Sequence, residues 1–191
     1  HRMVINHKLT NHAPSYGRGP VIMHWLIALA VIGFYPLGWY IESLDYYDPA
    51  YKTIPVWHKS IGILVAVTLL VRIIWRLFNK PPSPLPQPAA LALAAKAAHG
   101  LLYILLLITV TSGYLISTAD GRAIEFFNLI SIPALPVGIE NQEDIAGEIH
   151  FIVATSLILL AALHAAAALK HHFIDKDSTL KRMLALREEA E

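Results

Sequence analysis

Five histidines lie within or at the edges of long apolar stretches, where an ionisable side chain is costly and is therefore a functional candidate. Two of them, His150 and His164, are fourteen residues apart. In an α-helix this spacing is nearly four whole turns, so both rings project from about the same face, roughly 21 Å apart along the axis. The other three are His24, His58 and His99.

The distribution of these histidines favours haem over other metal centres. Zinc and copper sites need three or four donors that converge on one point. The histidines here fall at two separate levels, and the sequence has no cysteine, which excludes disulfides, iron–sulfur clusters and covalent haem attachment. The pattern predicts two b-type haems, each held between two imidazoles from facing helices. In the haem-free alternative, each histidine is a neutral side chain that bonds to a neighbouring helix.

Four stretches of the chain are long and apolar enough to cross a bilayer as helices, which takes roughly 20 residues. They cover residues 21–40, 54–78, 89–117 and 149–169. The 191 residues are 55% apolar and only 15% charged, against about 25% charged residues in a typical soluble domain. We therefore predict an all-α fold, an integral membrane four-helix bundle in the lipid bilayer. The net charge of +1 gives no basis for nucleic-acid binding.

Loop charges set the predicted orientation, because cytoplasmic loops of membrane proteins are enriched in Lys and Arg. With four spans, both termini and the loop between the second and third spans share one side, which carries twelve of the fifteen Lys and Arg residues. The opposite side carries only Lys52, Lys59 and Arg122, together with nine of the fourteen acidic residues. Both termini are therefore predicted to be cytoplasmic.

We predict one transmembrane domain over residues 18–183. Residues 1–17 are expected to form a cytoplasmic N-terminal segment, whose first two residues precede the first methionine. Residues 184–191 form a cytoplasmic tail. The proline-rich stretch 81–88 can be neither helix nor strand. In the long polar loop before the fourth span, residues 123–132 are expected to lie along the membrane surface as an amphipathic segment.

Each haem needs one ligand from each of two helices at the same depth. The first span enters from the cytoplasm and carries His24 about one turn inside, and the fourth carries His164 about two turns before its cytoplasmic end. His58 begins the second span from the outside, and His150 opens the fourth span on the same side. The depths predict an inner haem between His24 and His164 and an outer haem between His58 and His150.

Four further residues on the inner side are candidates for binding haem or a quinone. Arg72 lies at the level of the inner haem, where it would either clamp haem propionates or a quinone carbonyl or extend to the cytoplasmic surface. His99 would replace the first-span ligand, hydrogen-bond to a quinone, or rest in the interface, and we favour a role other than ligation. His171 and Lys176 complete the candidates for a quinone pocket.

Several motifs make the sequence similar to the bacterial cytochrome b561 family over residues 18–183. They are MHW at 23–25, WHKSIG at 57–62 followed by VR at 71–72, RLFNKPPSPLP at 76–86 and, as the densest block, HAAAALKHHFIDKDSTLKRM at 164–183. The resemblance implies a four-helix bundle with two b haems, whose ligand positions fall on the same four histidines. It also implies a multi-pass protein of the bacterial inner membrane.

The activity that the resemblance implies is superoxide oxidation at the outer face, coupled to the reduction of ubiquinone. An alternative is a cytochrome b electron-transfer subunit that accepts electrons from a periplasmic dehydrogenase or another protein donor. The acidic run at 139–144 would then be the docking face for this redox partner. A hydrolase or a proton-coupled transporter is poorly supported, because the sequence has no Ser/His/Asp grouping and the spans lack the carboxylates that proton relays use.

Overall fold

The computed structural model describes residues 3–5, 7–11 and 15–188 and is built around four long helices. Each of these four is long and apolar enough to cross a membrane, judged by length and composition. The predicted second and third spans coincide with α2 and α3. Along the chain the elements are β1 (Met3–Ile5), α1 (Arg18–Ser43), a 3-10 turn (Pro49–Tyr51), α2 (Ile54–Phe78), α3 (Ala89–Ser117), β2 (Ile124–Phe126), β3 (Ile130–Ile132), α4 (Gln142–Phe173), α5 (Thr179–Arg182) and β4 (Leu186–Glu188).

The first and fourth helices are longer than the predicted spans at both ends. The difference is largest for α4, where the apolar stretch covers only residues 149–169. Its first turn carries Glu143 and Asp144, and its last turn carries three basic residues. Acidic residues near the N-terminus of a helix and basic residues near its C-terminus interact favourably with the helix dipole. The helix therefore extends beyond its apolar part in both directions.

The core of the bundle lies at mid-depth, between the two levels of predicted ligands. Buried side chains from all four helices meet there, and one of them, Leu69, is fully buried. Leu157 of α4 lies seven residues from both His150 and His164, which is about 10 Å from each along the axis. An apolar layer thus separates the two histidine levels. Its packed residues are Ile27, Val65, Leu69, Leu106 and Leu157.

Many large apolar side chains of the four helices point away from this core. Leu29, Ile74 and Leu159, for example, are 63%, 54% and 66% exposed. A soluble monomer rarely exposes contiguous apolar surface of this extent. Lipid tails are as apolar as leucine, so a bilayer covers these side chains without penalty.

One end of the bundle joins the N-terminal segment, the proline-rich loop and the C-terminal segment. The Asn11 side chain donates a hydrogen bond to the Lys80 carbonyl at 3.2 Å, and Arg182 donates to the Ser83 carbonyl at 3.2 Å. At the extremes of the described chain, β1 and β4 pair antiparallel. The loop itself has no helix or strand between α2 and α3, as its prolines predict.

The predicted amphipathic surface segment over residues 123–132 does not match the structure, which has a β-hairpin there. The strands β2 and β3 pair antiparallel, and Phe127 and Asn128 in the turn have positive φ angles of 48° and 56°. The hairpin packs on α2, because Ile124 is only 4% exposed and the Phe127 N–H donates to the Ser60 hydroxyl at 2.9 Å. The alternation of apolar and polar residues in IEF and ISI is the period of a strand.

Candidate functional site

The structure brings the four predicted ligand histidines together in two pairs. His24 of α1 faces His164 of α4 with ring centres 6.2 Å apart, and His58 of α2 faces His150 of α4 at 6.5 Å. All four residues are half-buried. The α4 helix supplies one ring to each pair, in keeping with the fourteen-residue spacing of its two histidines.

The spacing within each pair fits one metal ion held between two imidazoles. A metal–nitrogen bond to imidazole is about 2.0–2.1 Å long and the nitrogen lies about 1.1 Å from its ring centre, so two rings that bind one ion from opposite sides would stand about 6.3 Å apart. The observed 6.2 and 6.5 Å are close to this distance. Two donors from each pair leave the remaining coordination positions to the cofactor, as the four nitrogens of a haem macrocycle would require.

His99 adds a third ring to the inner layer. Its ring centre lies 5.2 Å from that of His164, which is closer than two rings that bind one ion from opposite sides would stand. Unlike the four paired histidines, His99 is exposed at the helix surface. Both observations favour the predicted role other than ligation.

The outer pair is oriented by side chains and backbone of α1 and α3. The His58 ring stacks on Phe34, with centres 4.7 Å apart and planes 26° from parallel. The Nδ1 atom of His150 lies 2.9 Å from the Thr109 carbonyl oxygen and 3.0 Å from the Ser112 hydroxyl oxygen. Sequence reasoning missed these three neighbours, because no spacing rule distinguishes a residue that packs on a ligand from one that packs on another helix.

Arg72 lies in the inner layer, as predicted, with its Nη2 atom 3.4 Å from the Nδ1 atom of His24. Its guanidinium carbon is 5.5 Å from the centre of the Tyr103 ring, and that of Arg76 lies at the same distance from this ring. Within residues 15–188, no carboxylate forms an ion pair with either arginine. Arg72 is therefore a half-buried cation that is available to an anionic group such as a haem propionate.

A second polar cluster lies where α4 ends. The Nδ1 atom of His171 is 2.8 Å from Asp177 and 3.0 Å from Asp175. Partial burial alone would raise the pKa of Asp177, but hydrogen bonds from the Thr179 N–H and from His171 outweigh it and lower this pKa below its ordinary value. The carboxylate therefore stays ionised at neutral pH and orients His171. Lys176 is exposed in the same connection.

Four apolar helices that carry a pair of facing histidines at each of two depths define a class of protein, the transmembrane bundle that holds metal-containing redox cofactors. Residues 15–185 match the family model of prokaryotic cytochrome b561. The chain belongs to this family, as the resemblance in its motifs predicts.

Individual relatives cover nearly the whole chain. It is 47% identical over 176 residues to cytochrome b561 homolog 2 of Escherichia coli strain K12, a match that covers 92% of this chain and 94% of that protein. It is 30% identical to cytochrome b561 homolog 1 of the same strain, over 90% of this chain and 98% of that protein. It is also 29% identical to a Yersinia pestis protein named Probable superoxide oxidase CybB, over 85% of this chain and 91% of that protein.

Family membership and the four apolar helices make the chain a multi-pass protein of the bacterial inner membrane that takes part in electron transport with haem b. The predictions of a membrane helix bundle, of this location and of haem b as the cofactor are confirmed. The number of haems, the four ligands, the quinone and the orientation of the termini stay predictions.

Proposed function

We propose that this chain is a di-haem b cytochrome that carries electrons from superoxide at the periplasmic face to ubiquinone at the cytoplasmic face. The observation that carries this proposal is the pair of imidazole–imidazole distances, 6.2 and 6.5 Å, each of which suits one iron. The relative named Probable superoxide oxidase CybB supports the choice of donor. When bound, each haem supplies a one-electron iron couple that its ligands and their surroundings tune.

In this proposal His24 and His164 hold the inner haem, and His58 and His150 hold the outer one. The single domain over residues 18–183 has both termini in the cytoplasm, as the loop charges indicate. Two superoxide ions give up one electron each and leave as two molecules of oxygen. One ubiquinone takes these two electrons together with two protons and leaves as ubiquinol.

Quinone reduction needs hydrogen-bonding groups on the inner side, where His99, Arg72, His171 and Lys176 lie. His171 is two helical turns beyond His164, about 10 Å nearer to the proposed cytoplasmic end, and two carboxylates orient its ring. We assign it to the quinone oxygen, with Arg72, which lies 3.4 Å from His24 of the inner pair, as a second binding group on that side. The exposed Lys176 has no hydrogen bond to either of them in the described part of the chain.

A second candidate donor is a periplasmic dehydrogenase or another protein, because the proposed outer face offers few free cations to an anion such as superoxide. The guanidinium of Arg122 is already paired with Asp120 at 2.6 Å, and hydrogen bonds from the backbone and side chain of Arg122 lower the pKa of this carboxyl. Lys52 and Lys59 are the other two cations on that face, against nine acidic residues. Such a face would attract a basic electron-carrying protein.

Rapid mixing of the purified, oxidised protein with superoxide tests the donor directly. We expect fast appearance of the reduced-haem absorbance, followed by its loss when ubiquinone is added. The control is the same mixture with superoxide dismutase, which removes the donor and should abolish the change.

Two other results would change the proposed donor or contradict the proposal. A haem spectrum that superoxide does not reduce would leave the cytochrome intact and favour the protein donor, whose electron transfer should weaken as salt screens the acidic face. A purified protein with no haem spectrum would contradict the proposal as a whole.

Arg72 can be tested separately from the haem ligands. If His24 ligates iron through Nε2, its Nδ1 carries the proton and cannot accept a hydrogen bond from Arg72, so the guanidinium becomes free to bind an anion or a carbonyl. Arg72→Ala should keep both haems but slow ubiquinone reduction about tenfold or more, the size expected for a lost charge-assisted hydrogen bond of about 1.5 kcal/mol.

The matched control for this variant is Arg76→Ala. Arg76 contacts the same Tyr103 ring but is exposed, so its loss should leave the rate near that of the unmodified protein. The measurement is the rate of haem reoxidation by ubiquinone in single-turnover mixing. An unchanged rate in Arg72→Ala would mean that this side chain only extends to the membrane surface.

A further inference from the structure

The α3 helix contributes no ring to the outer histidine pair, yet two of its residues contact His150. The carbonyl oxygen of Thr109 lies 2.9 Å from the His150 Nδ1 atom, and the hydroxyl oxygen of Ser112 lies 3.0 Å from it. The Ser112 hydroxyl also donates to the Thr109 carbonyl at 3.0 Å. The His150 Nδ1 atom and these two oxygens thus form a closed triangle.

This triangle fixes the protonation pattern of the ring. A carbonyl oxygen can only accept a hydrogen bond, so the Nδ1 atom of His150 must carry the hydrogen. The Nε2 atom of the neutral ring is then the one with a free lone pair, which is the form that ligates a metal. The Ser112 hydroxyl gives its own hydrogen to the Thr109 carbonyl and offers a lone pair to the Nδ1–H group.

The backbone of α3 at Gly113 sets how closely the ring approaches. A Cβ atom at this position would lie 3.1 Å from the Cε1 atom of His150 and 3.4 Å from its Nδ1 atom. This contact is tighter than ordinary van der Waals contact, so any Cβ here would require the ring to shift by a few tenths of an ångström. Thr109, Ser112 and Gly113 follow the i, i+3, i+4 spacing and therefore share one face of α3.

The two rings of the outer pair differ in the hydrogen bonding of their Nδ1 atoms. The Nδ1 atom of His58 is buried and has no hydrogen-bond partner among the described residues, and the ring is held by its stack on Phe34. Ser112 is only 4% exposed, so lipid and water do not compete for its hydroxyl. The hydrogen bonds to His150 are thus the polar contacts through which the protein can act on the outer pair.

We infer that Ser112 and the Thr109 carbonyl are positioning groups, through which α3 sets the orientation of the His150 ring and the reduction potential of the outer haem. The inference rests on the proposed ligation of that haem by His58 and His150. A hydrogen bond accepted from Nδ1–H makes an imidazole a more basic ligand. A more basic ligand favours the oxidised metal and lowers its potential.

Ser112→Ala provides the first test, by spectroelectrochemical titration of the purified protein in lipid nanodiscs. We expect both haems to be retained, because the Thr109 carbonyl still accepts from Nδ1–H. The midpoint potential of the outer haem should shift upward, while that of the inner haem stays the same. The outer haem is identified as the one that His58→Ala lacks.

Two further variants separate this effect from a general disturbance of the helix. Ser112→Thr keeps the hydroxyl, and a cavity of about 310 Å³ beside Ser112 and Ile149 gives room for the added methyl group. The midpoint potential of the outer haem in this variant should therefore be close to that of the unmodified protein. Ser156→Ala removes a hydroxyl that is bonded in the same way to its own helix, to Ile152 at 2.9 Å, at an exposed position. This variant should change the midpoint potential of neither haem.

Gly113→Ala tests the contact independently of any hydroxyl. The added Cβ should shift the ring by a few tenths of an ångström, which would change the low-spin electron paramagnetic resonance signal of the outer haem, with the inner haem retained. An outer-haem potential unchanged in Ser112→Ala, equal shifts in both haems, or an unaltered resonance signal in Gly113→Ala would overturn the inference. Failure of the proposed function is distinct, because it would appear as a second haem absent from the unmodified protein.

Discussion

Replacing His164 with alanine should halve the haem b content of the purified protein, from the proposed two haems per chain to one. The remaining haem should keep its spectrum. Haem b in this chain has no covalent anchor, because the sequence lacks cysteine, so an inner haem that loses an axial ligand is expected to dissociate during purification. The outer pair lies roughly 21 Å away along α4, beyond the apolar layer around Leu69 and Leu157, and should not be disturbed. The haem-to-protein ratio from a pyridine haemochrome assay measures the result.

The natural control is His99→Ala. This ring stands 5.2 Å from His164 in the same layer, and it should be dispensable for haem binding if only the paired histidines ligate. Both variants should retain the helical circular dichroism of the unmodified protein. Two haems in His164→Ala, or the loss of a haem from His99→Ala, would contradict the proposed inner pair.

The membrane helices could be predicted from the sequence because a bilayer imposes a length and an apolar composition on every span. The two central helices have the predicted bounds. The ends of α4 could not be predicted in this way, since the Glu143–Asp144 turn and the basic last turn are polar and are stabilised by the helix dipole and by water. The hairpin at β2 and β3 could not be predicted either, because each strand has only three residues, which is too short for a periodic pattern to stand out.

The candidate site shows a similar division. The pairing of the four histidines could be predicted because the loop charges and the rise of a helix per residue together give the depth of each histidine in the membrane. This depth can be estimated without knowing which helices are in contact. The neighbours of the rings depend on how each helix is rotated about its axis. Two contacts depend on this rotation. They are the approach of Ser112 and Gly113 of α3 to His150 and the stack of Phe34 on His58. Nothing in the one-dimensional spacing encodes them.

Removal of His58 should block electron transfer at the outer side of the bundle, whereas removal of His164 should block it at the inner side. In His58→Ala, superoxide supplied from outside should no longer reduce added ubiquinone, although the remaining inner haem should still be reduced by dithionite. In His164→Ala, superoxide should still reduce the remaining outer haem, which should then stay reduced when ubiquinone is present. The physical reason is the apolar core between the two layers, whose side chains, such as Val65 and Leu106, have no redox chemistry.

If the two variants lose different partial reactions, electrons move in a defined direction through the bundle. A general loss of fold would instead abolish both partial reactions in both variants. Stopped-flow absorbance of the haem, with superoxide and ubiquinone added in turn, measures each partial reaction. Ser156→Ala, which changes an exposed hydroxyl of the same helix that carries His164, should perform both reactions normally. Ubiquinone reduction by His58→Ala at the normal rate would mean that electrons enter without the outer pair, and the assignment of the donor to that face would be wrong.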